Sequence, residues 1–174
     1  MPTAPQSETL SVLTIGHSRH PIDGFLGLLR QHQVEVLVDV RSHPVSRFSP
    51  QFSRTPLERA VTGAAIRYGF LGDALGGRPA DRACYDADGA LDYDLVEAQD
   101  FYQRGIERLV DGLARFRVCV MCAEENPASC HRRLLVARTL VRRGVAVHHI
   151  RGTGALETED ALRAGPVAPQ LSLL

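Results

Sequence analysis

The sequence predicts one α/β domain of three layers, with about five mostly parallel strands and helices on both faces. Three observations carry that prediction. The chain has 174 residues, 44% hydrophobic and 23% charged, which is enough apolar material for one core and too little charge for a disordered chain. Short, nearly continuous apolar runs alternate with segments of helical period, the pattern of strands buried on both sheet faces. Turn and cap residues, chiefly Gly, Pro, Asn and Asp, stand at most of the junctions. The result is a Rossmann-like arrangement over residues 10–151, between an N-terminal tail (1–9) and a C-terminal tail (152–174).

Leu10 to Ile15 is an apolar run that ends in Gly16-His17-Ser18, a strand stopping at a polar loop. Asp23 is placed to cap a short helix built on Phe25, Leu28 and Leu29 and running to about Gln33. Val34 to Val40, VEVLVDV, reads as a second buried strand. Residues 41–54, RSHPVSRFSPQFSR, are irregular. Thr55-Pro56-Leu57-Glu58 has the T-x-x-E capping pattern with a first-turn proline, so a helix should follow to about Gly63. Ile66 to Leu71 is a third strand, and residues 72–92 form a long loop rich in Gly, Asp and Ala. Leu95, Ala98, Tyr102, Ile106, Leu109 and Leu113 recur at helical spacing and predict one helix over 94–116. Arg117 to Ala123, RVCVMCA, is a fourth strand. Asn126-Pro127 predicts a helix running to Arg143, closed by Gly144, and Val145 to Ile150 is a fifth strand. Residues 151–174 read as a tail with one short helical turn.

The formal net charge is zero, which excludes a uniformly basic surface but not a local basic patch. There is no lysine, so all 20 basic residues are arginines, planar forks suited to phosphate or carboxylate. No apolar run approaches a membrane span, and the MPTAPQSETL start has neither a basic beginning nor an apolar core, which predicts a cytoplasmic chain with no membrane partner. Four cysteines in that setting read as thiols, ligands or nucleophiles rather than a disulfide frame.

In a parallel sheet, ligands bind beyond the carboxyl ends of the strands where strand order reverses. Three polar segments fall at such ends: Gly16-His17-Ser18, Asp39-Val40-Arg41-Ser42 and Cys122-Ala123-Glu124-Glu125. They converge if the first strand neighbours the fourth. Cys130 and His131 fall in the first turn of the helix expected after Asn126, where free amides lower a thiol pKa. One reading makes Cys130 a thiolate nucleophile with Glu124 or His17 as proton carrier. A weaker one makes Cys122, Cys130 and His131 ligands to zinc or iron, at a spacing unlike standard zinc motifs. In a third, both cysteines are small core residues. The C-x5-R phosphatase pattern fails, because Ala128 stands six residues after Cys122. In the 41–54 loop, Arg41, Arg47 and Arg54 interleave with Phe48 and Phe52, a pattern for gripping phosphates and stacking on bases or for pinning a solvated loop to the core. Gly76-Gly77-Arg78 is weak support for a phosphate loop, and the acidic residues at 86–94 lack a calcium-loop series.

These segments together resemble the bacterial domain of unknown function family 488. The matching pieces are Thr14-Ile15-Gly16-His17-Ser18, Val38-Asp39-Val40-Arg41 with Pro44 and Ser46-Arg47-Phe48, Leu75-Gly76-Gly77, and Met121-Cys122-Ala123-Glu124 with Cys130-His131-Arg132. They run in order through most of residues 12–150. The resemblance implies a compact α/β domain with these polar loops in one cleft, and it supplies no reaction. Independently, Gln170-Leu171-Ser172-Leu173-Leu174 is similar to the pentapeptide by which bacterial polymerases and repair proteins dock on the replication sliding clamp, with Leu174 where Phe is more usual. The alternative is a greasy tail packing on its own domain.

The sequence therefore points to an enzyme acting on nucleic acid or a phosphorylated nucleotide-like ligand in a DNA repair or replication setting, as a hydrolase or transferase. Glu124, Cys130, His131 and His17 are its catalytic candidates, and Ser18, Asp39, Arg41, Arg47 and Arg132 its ligand-binding candidates. No cofactor is required by the sequence. The competing readings are a non-catalytic nucleic-acid or clamp-bound adaptor and a small-molecule enzyme unrelated to DNA. The prolines at Pro166 and Pro169 keep the preceding chain extended, so that Gln170, Leu171, Leu173 and Leu174 can reach a partner. Deleting residues 170–174 should abolish binding to a bacterial sliding clamp in calorimetry and leave the melting temperature nearly unchanged. A large loss of stability, with no clamp binding by the intact chain, would contradict the tether.

Overall fold

The computed structural model describes residues 9–165. Gln170, Leu171, Leu173 and Leu174 lie outside them, as do residues 1–8. The chain runs β1 (Ser11–Gly16), α1 (Ile22–Gln31), β2 (Val36–Asp39), α2 (Arg54–Gly63), β3 (Arg67–Phe70), α3 (Gly72–Leu75), α4 (Tyr93–Glu97), α5 (Asp100–Leu113), β4 (Val118–Cys122), α6 (Arg138–Arg142), β5 (Ala146–Ile150), β6 (Leu156–Thr158) and α7 (Glu159–Ala164). The strands form one sheet in the order β3-β2-β4-β1-β5-β6. All neighbours are parallel except β6, which is antiparallel to β5.

Strand alternation divides the core into two layers. Val118, Val120 and Cys122 face one side of β4, where Tyr102, Ile106, Leu135 and Leu140 cover them. Cys119 and Met121 face the other, under Phe25 and Leu29 of α1 and Leu57 and Val61 of α2. Both faces of the central strands are thus covered, which is why β4 reads as an unbroken apolar run and the buried part of β1 as one interrupted only by Thr14. The α1 crossover leads from β1 to β2 on one side, and the α6 crossover leads from β4 to β5 on the other. The order reverses at the β1–β4 pair, and the carboxyl ends of those strands open at the switch point.

Local departures from the sequence expectation have identifiable causes. The sheet gains a sixth strand because residues 156–158 of the expected tail pair with β5, and α7 follows them. Thr158 caps α7 by accepting from the Ala161 amide. Thr55 is not a cap: α2 starts two residues earlier than that pattern places it, after Ser53. Asp23 lies within the first turn of α1, which starts after Pro21. The 94–116 helix is two helices, broken where Gln99 turns extended (φ −82°, ψ 137°). Its stripe is out of phase at the start, so Val96 is buried while Leu95 is 37% exposed. Residues 72–92 hold α3, a single 3-10 turn at Arg82–Cys84 and a Tyr85–Leu91 bridge. The 126–143 helix is also broken. A 3-10 turn at Pro127–Ser129 ends at Cys130, which is extended (φ −105°, ψ 142°), and helix resumes at His131. It resumes as a π-helical stretch, Arg132–Ala137, whose wide turn buries Leu135, Val136 and Ala137 in succession. No described helix is long and apolar enough to cross a membrane.

Ile106 is fully buried at the centre of the α5 stripe. Ile106→Ala should cost about 2–5 kcal/mol in urea unfolding through lost transfer energy and the cavity left behind. A cost near zero would mean that α5 does not anchor this layer.

Candidate active site

The end of β2 supplies a fixed cation. Asp39 is fully buried, and its carboxylate accepts three hydrogen bonds from Arg41: backbone N–H at 3.1 Å, Nε at 2.9 Å and Nη2 at 2.7 Å. Tyr68 Oη adds a fourth donor at 2.8 Å. The remaining arm of Arg41 donates from Nη1 to His17 Nε2 at 3.2 Å. His17 Nδ1 donates to the Ser18 carbonyl (2.8 Å), which fixes the tautomer, and the ring stacks on Phe52 at 4.4 Å. Burial holds the His17 pKa down at about 4. The imidazole is therefore neutral, the state that an arginine N–H needs in its acceptor. With Nε, Nη1 and Nη2 all engaged, this planar fork is fixed in place, and Arg41 lines the cleft although its side chain is only 7% exposed.

The loop after β4 is folded around a second arginine. Arg132 is fully buried, yet it makes no ion pair within 4 Å among the described residues. Its guanidinium donates to Thr14 Oγ1 (3.2 Å), Cys122 Sγ (3.0 Å), the Glu124 carbonyl and the Glu125 carbonyl (2.8 Å). The 124–125 backbone is thereby drawn against β1, and a Cβ on Gly16 would stand 1.7 Å from the Glu124 oxygen, so only glycine fits there. Glu125 turns outward to a two-pronged pair with Arg151 at 3.0 Å per contact.

Cys122 and Cys130 meet beneath this loop, with sulfurs 2.7 Å apart. Both are nearly inaccessible, at 1% and 3% exposure, but both line a polar cleft of about 440 Å³ above the strand ends. The pair shares one proton. Burial raises the deeper Cys122 thiol. Cys130 is pulled down to about 4, first by the Cys122 hydrogen bond and, against its own burial, by His131 and the Arg132 charge. His131 donates from Nε2 to the Val40 carbonyl at 3.0 Å, leaving Nδ1 facing Cys130 Sγ at 3.9 Å. Gly77 packs on that ring: a Cβ there would stand 2.8 Å from the imidazole. The arrangement is a thiolate beside an oriented imidazole, the pairing used in nucleophilic catalysis.

The cleft brings together Arg41, Cys122, Glu124, Cys130 and His131. Glu124 stands exposed at its rim. His17 and Asp39 lie behind Arg41 and position it; Arg132 lies beneath the loop and not at the cleft wall; Ser18 (φ 46°) bonds through its amide to the Ala123 carbonyl. Arg47 is exposed on the 41–54 loop, outside the cleft lining, beside a 91% exposed Phe48. Phe52 is the core anchor of that loop, and Arg54 stacks on Phe70 at 4.3 Å. The helix amides invoked for Cys130 are not its support, since Cys130 precedes the helix and its carbonyl accepts from Arg133 and Leu134. Cys122 and Cys130 stand closer together than two thiolates each about 2.3 Å from one tetrahedral zinc would, and among the described residues no group of three His, Cys, Asp or Glu side chains is arranged to hold an ion. Ser42 and Arg78, which the sequence marks only as parts of polar segments, complete the walls together with His43, Tyr93 and Ser129, which it does not single out. The run Gly76-Gly77-Arg78 was a usable signal, because Ser42 Oγ accepts from the Arg78 amide at 2.9 Å. Nothing in one dimension places Tyr93 there.

An unfolded histidine protonates near 6.5 and folded His17 only near 4, so this contribution to stability is complete above 6.5 and is lost as pH falls toward 4. His17→Gln can keep both hydrogen bonds, and should flatten the acid limb of the stability–pH curve relative to wild type. An unchanged limb would contradict a buried neutral His17. Gly77→Ala should displace His131 and slow alkylation of Cys130 without unfolding the domain; an unchanged rate would remove His131 from the thiol's chemistry.

Searches of curated proteins and of solved structures find no match to the chain. Residues 21–139 match the model of the family described as "Domain of unknown function DUF488". That span begins with α1 and ends just past the π-helical stretch, so it contains β2, the Gly76-Gly77 contact and the whole Cys122–Arg132 loop. By a match across more than half of its length, the chain belongs to the DUF488 family.

Proposed function

We propose that the protein is a cysteine-dependent hydrolase or transferase acting on a phosphorylated, nucleotide-like ligand or on nucleic acid. The observation that supports this reading is one cleft with two halves. Its floor holds the Cys130 thiolate with His131 Nδ1 at 3.9 Å, and its wall holds the fixed fork of Arg41 with Arg78 and His43 nearby. An anionic group docked on the arginines would bring its electrophilic centre toward the sulfur. The thiolate attacks the electrophilic centre, so that a bond to sulfur forms as the bond to the leaving group breaks; a second ring proton, carried on His131 Nδ1, goes to that group, and Glu124 at the rim is placed to take a proton from the second nucleophile, which displaces the sulfur as thiolate. Arg47 and the exposed Phe48 extend the basic, aromatic surface beyond the cleft, as a base and its backbone phosphate would require. The DNA repair or replication setting rests on the Gln170–Leu174 segment alone.

Nucleoside phosphates should raise the melting temperature of the wild type and of Cys130→Ser, and should not do so for Arg78→Gln. Turnover should vanish in Cys130→Ser. If the ligand is a nucleic acid, affinity should fall steeply with salt, and Arg47→Gln should flatten that slope by about one contact. No shift with any nucleoside phosphate, and no DNA or RNA binding at low salt, would contradict the proposal.

A further inference from the structure

We infer that Cys122 and Cys130 are a reversible dithiol–disulfide couple that responds to hydroperoxides, with Cys130 as the sulfur that is oxidised first and Cys122 as the sulfur that resolves it. This inference rests on the reading of Cys130 as a thiolate and adds regulation of that same site. The nucleophile reading gives Cys122 no bond-forming step of its own, although its sulfur stands 2.7 Å from the nucleophile.

Four features of the site support the couple. The sulfurs stand 2.7 Å apart, so a bond of about 2.05 Å forms with small side-chain adjustments. The intervening loop is already closed by Arg132, which holds the Glu124 and Glu125 carbonyls and the Cys122 sulfur together. The two sulfurs are unequal, as exchange requires. Cys130 carries the charge and has an imidazole at 3.9 Å; Cys122 keeps the proton and ends a central strand. Access also selects the oxidant. With Cys130 only 3% exposed at the floor of the cleft, a small hydroperoxide reaches the sulfur far more readily than a protein disulfide does. Cys119 and Cys84 offer a contrast within the same chain. Both are fully buried with thiols raised by burial, and neither has a sulfur partner among the described residues.

The chemistry balances with a hydroperoxide ROOH as the oxidant. The Cys130 thiolate attacks the terminal oxygen; the O–O bond breaks, an S–O bond forms, and the departing alkoxide takes a proton from water in the cleft to leave as ROH. Sulfur is oxidised to the sulfenic acid and the peroxide is reduced. Cys122 then gives up its proton and attacks the Cys130 sulfur. An S–S bond forms, the S–O bond breaks, and the departing hydroxide takes that proton to leave as water. A small dithiol restores both thiols by supplying two electrons and two protons. While the disulfide stands, no nucleophile is available, so the proposed hydrolase or transferase activity is off.

The test uses the full chain, with hydrogen peroxide as the oxidant and dithiothreitol as the reductant. Peptide mass spectrometry should show one link, Cys122 to Cys130, with the loss of two hydrogens, and full reversal by the reductant. Cys122→Ser should form no link and should instead trap the Cys130 sulfenic acid, read as a dimedone adduct absent from the wild type. Cys119→Ser should behave as wild type. In parallel, alkylation of the reduced chain reports whether Cys130 is the reactive thiol. Fast alkylation of Cys130 with no 122–130 link after peroxide would overturn this inference and leave the nucleophile reading intact. Slow alkylation with no link would overturn both. A link that forms equally well through Cys119 or Cys84 would overturn the assignment of Cys122 as the resolving sulfur.

Discussion

The positive charge of Arg132 is the constraint on which the site depends. A fully buried guanidinium is costly to desolvate unless its donors are satisfied and its charge is balanced. The donors are satisfied: Thr14 on β1, the Cys122 sulfur on β4 and two loop carbonyls take them. No carboxylate stands within ion-pair distance among the described residues. Thr14 passes the polarity on, donating to His149 Nδ1 at 2.7 Å, and His149 Nε2 donates to Glu159 at 3.0 Å. Glu159 is in turn paired with Arg133. The stretch that carries Arg132 is thus tied through β1 and β5 to α7, and a sulfur, that of Cys122, stands against the buried charge at 3.0 Å.

Balance at sulfur explains why the site is organised as it is. With Arg132 against Cys122, a proton is easily lost from the cysteine pair, and burial leaves the one that remains on the deeper thiol. The negative charge therefore faces the cleft at Cys130. Arg41 is handled in the opposite way. Its charge is matched by Asp39 at once and aligned by neutral His17, so it is fixed in place in the cleft lining. One arginine is turned inward to set up a nucleophile and the other is turned toward the cleft. Both are placed by residues at the ends of β1, β2 and β4, where the strand order reverses.

Periodicity made the strands and most of the helices legible because burial on two faces leaves a one-dimensional trace. Convergence of the Gly16, Asp39 and Cys122 ends was legible for the same reason, given parallel strands. What could not be read was direction. Cys130 sits in an N-P-x-x-C-H run that scans as one helix, yet the 3-10 turn ends there and the helix restarts, which aims the thiol at Cys122 rather than at helix amides. Arg132 reads as a surface phosphate grip because arginines usually are; only the packing of the 122–125 loop on Gly16 turns it inward. The break at Gln99 and the pairing of residues 156–158 depend on tertiary neighbours that leave no local mark.

The most direct measurement is a pH titration of ultraviolet thiolate absorbance in the reduced chain carrying Cys84→Ala and Cys119→Ala. A single thiolate present at neutral pH, protonating only near pH 4, is the expected result. A pair that stays fully protonated until pH rises toward 9, the ordinary thiol value, would contradict a buried Arg132 charge balanced at sulfur.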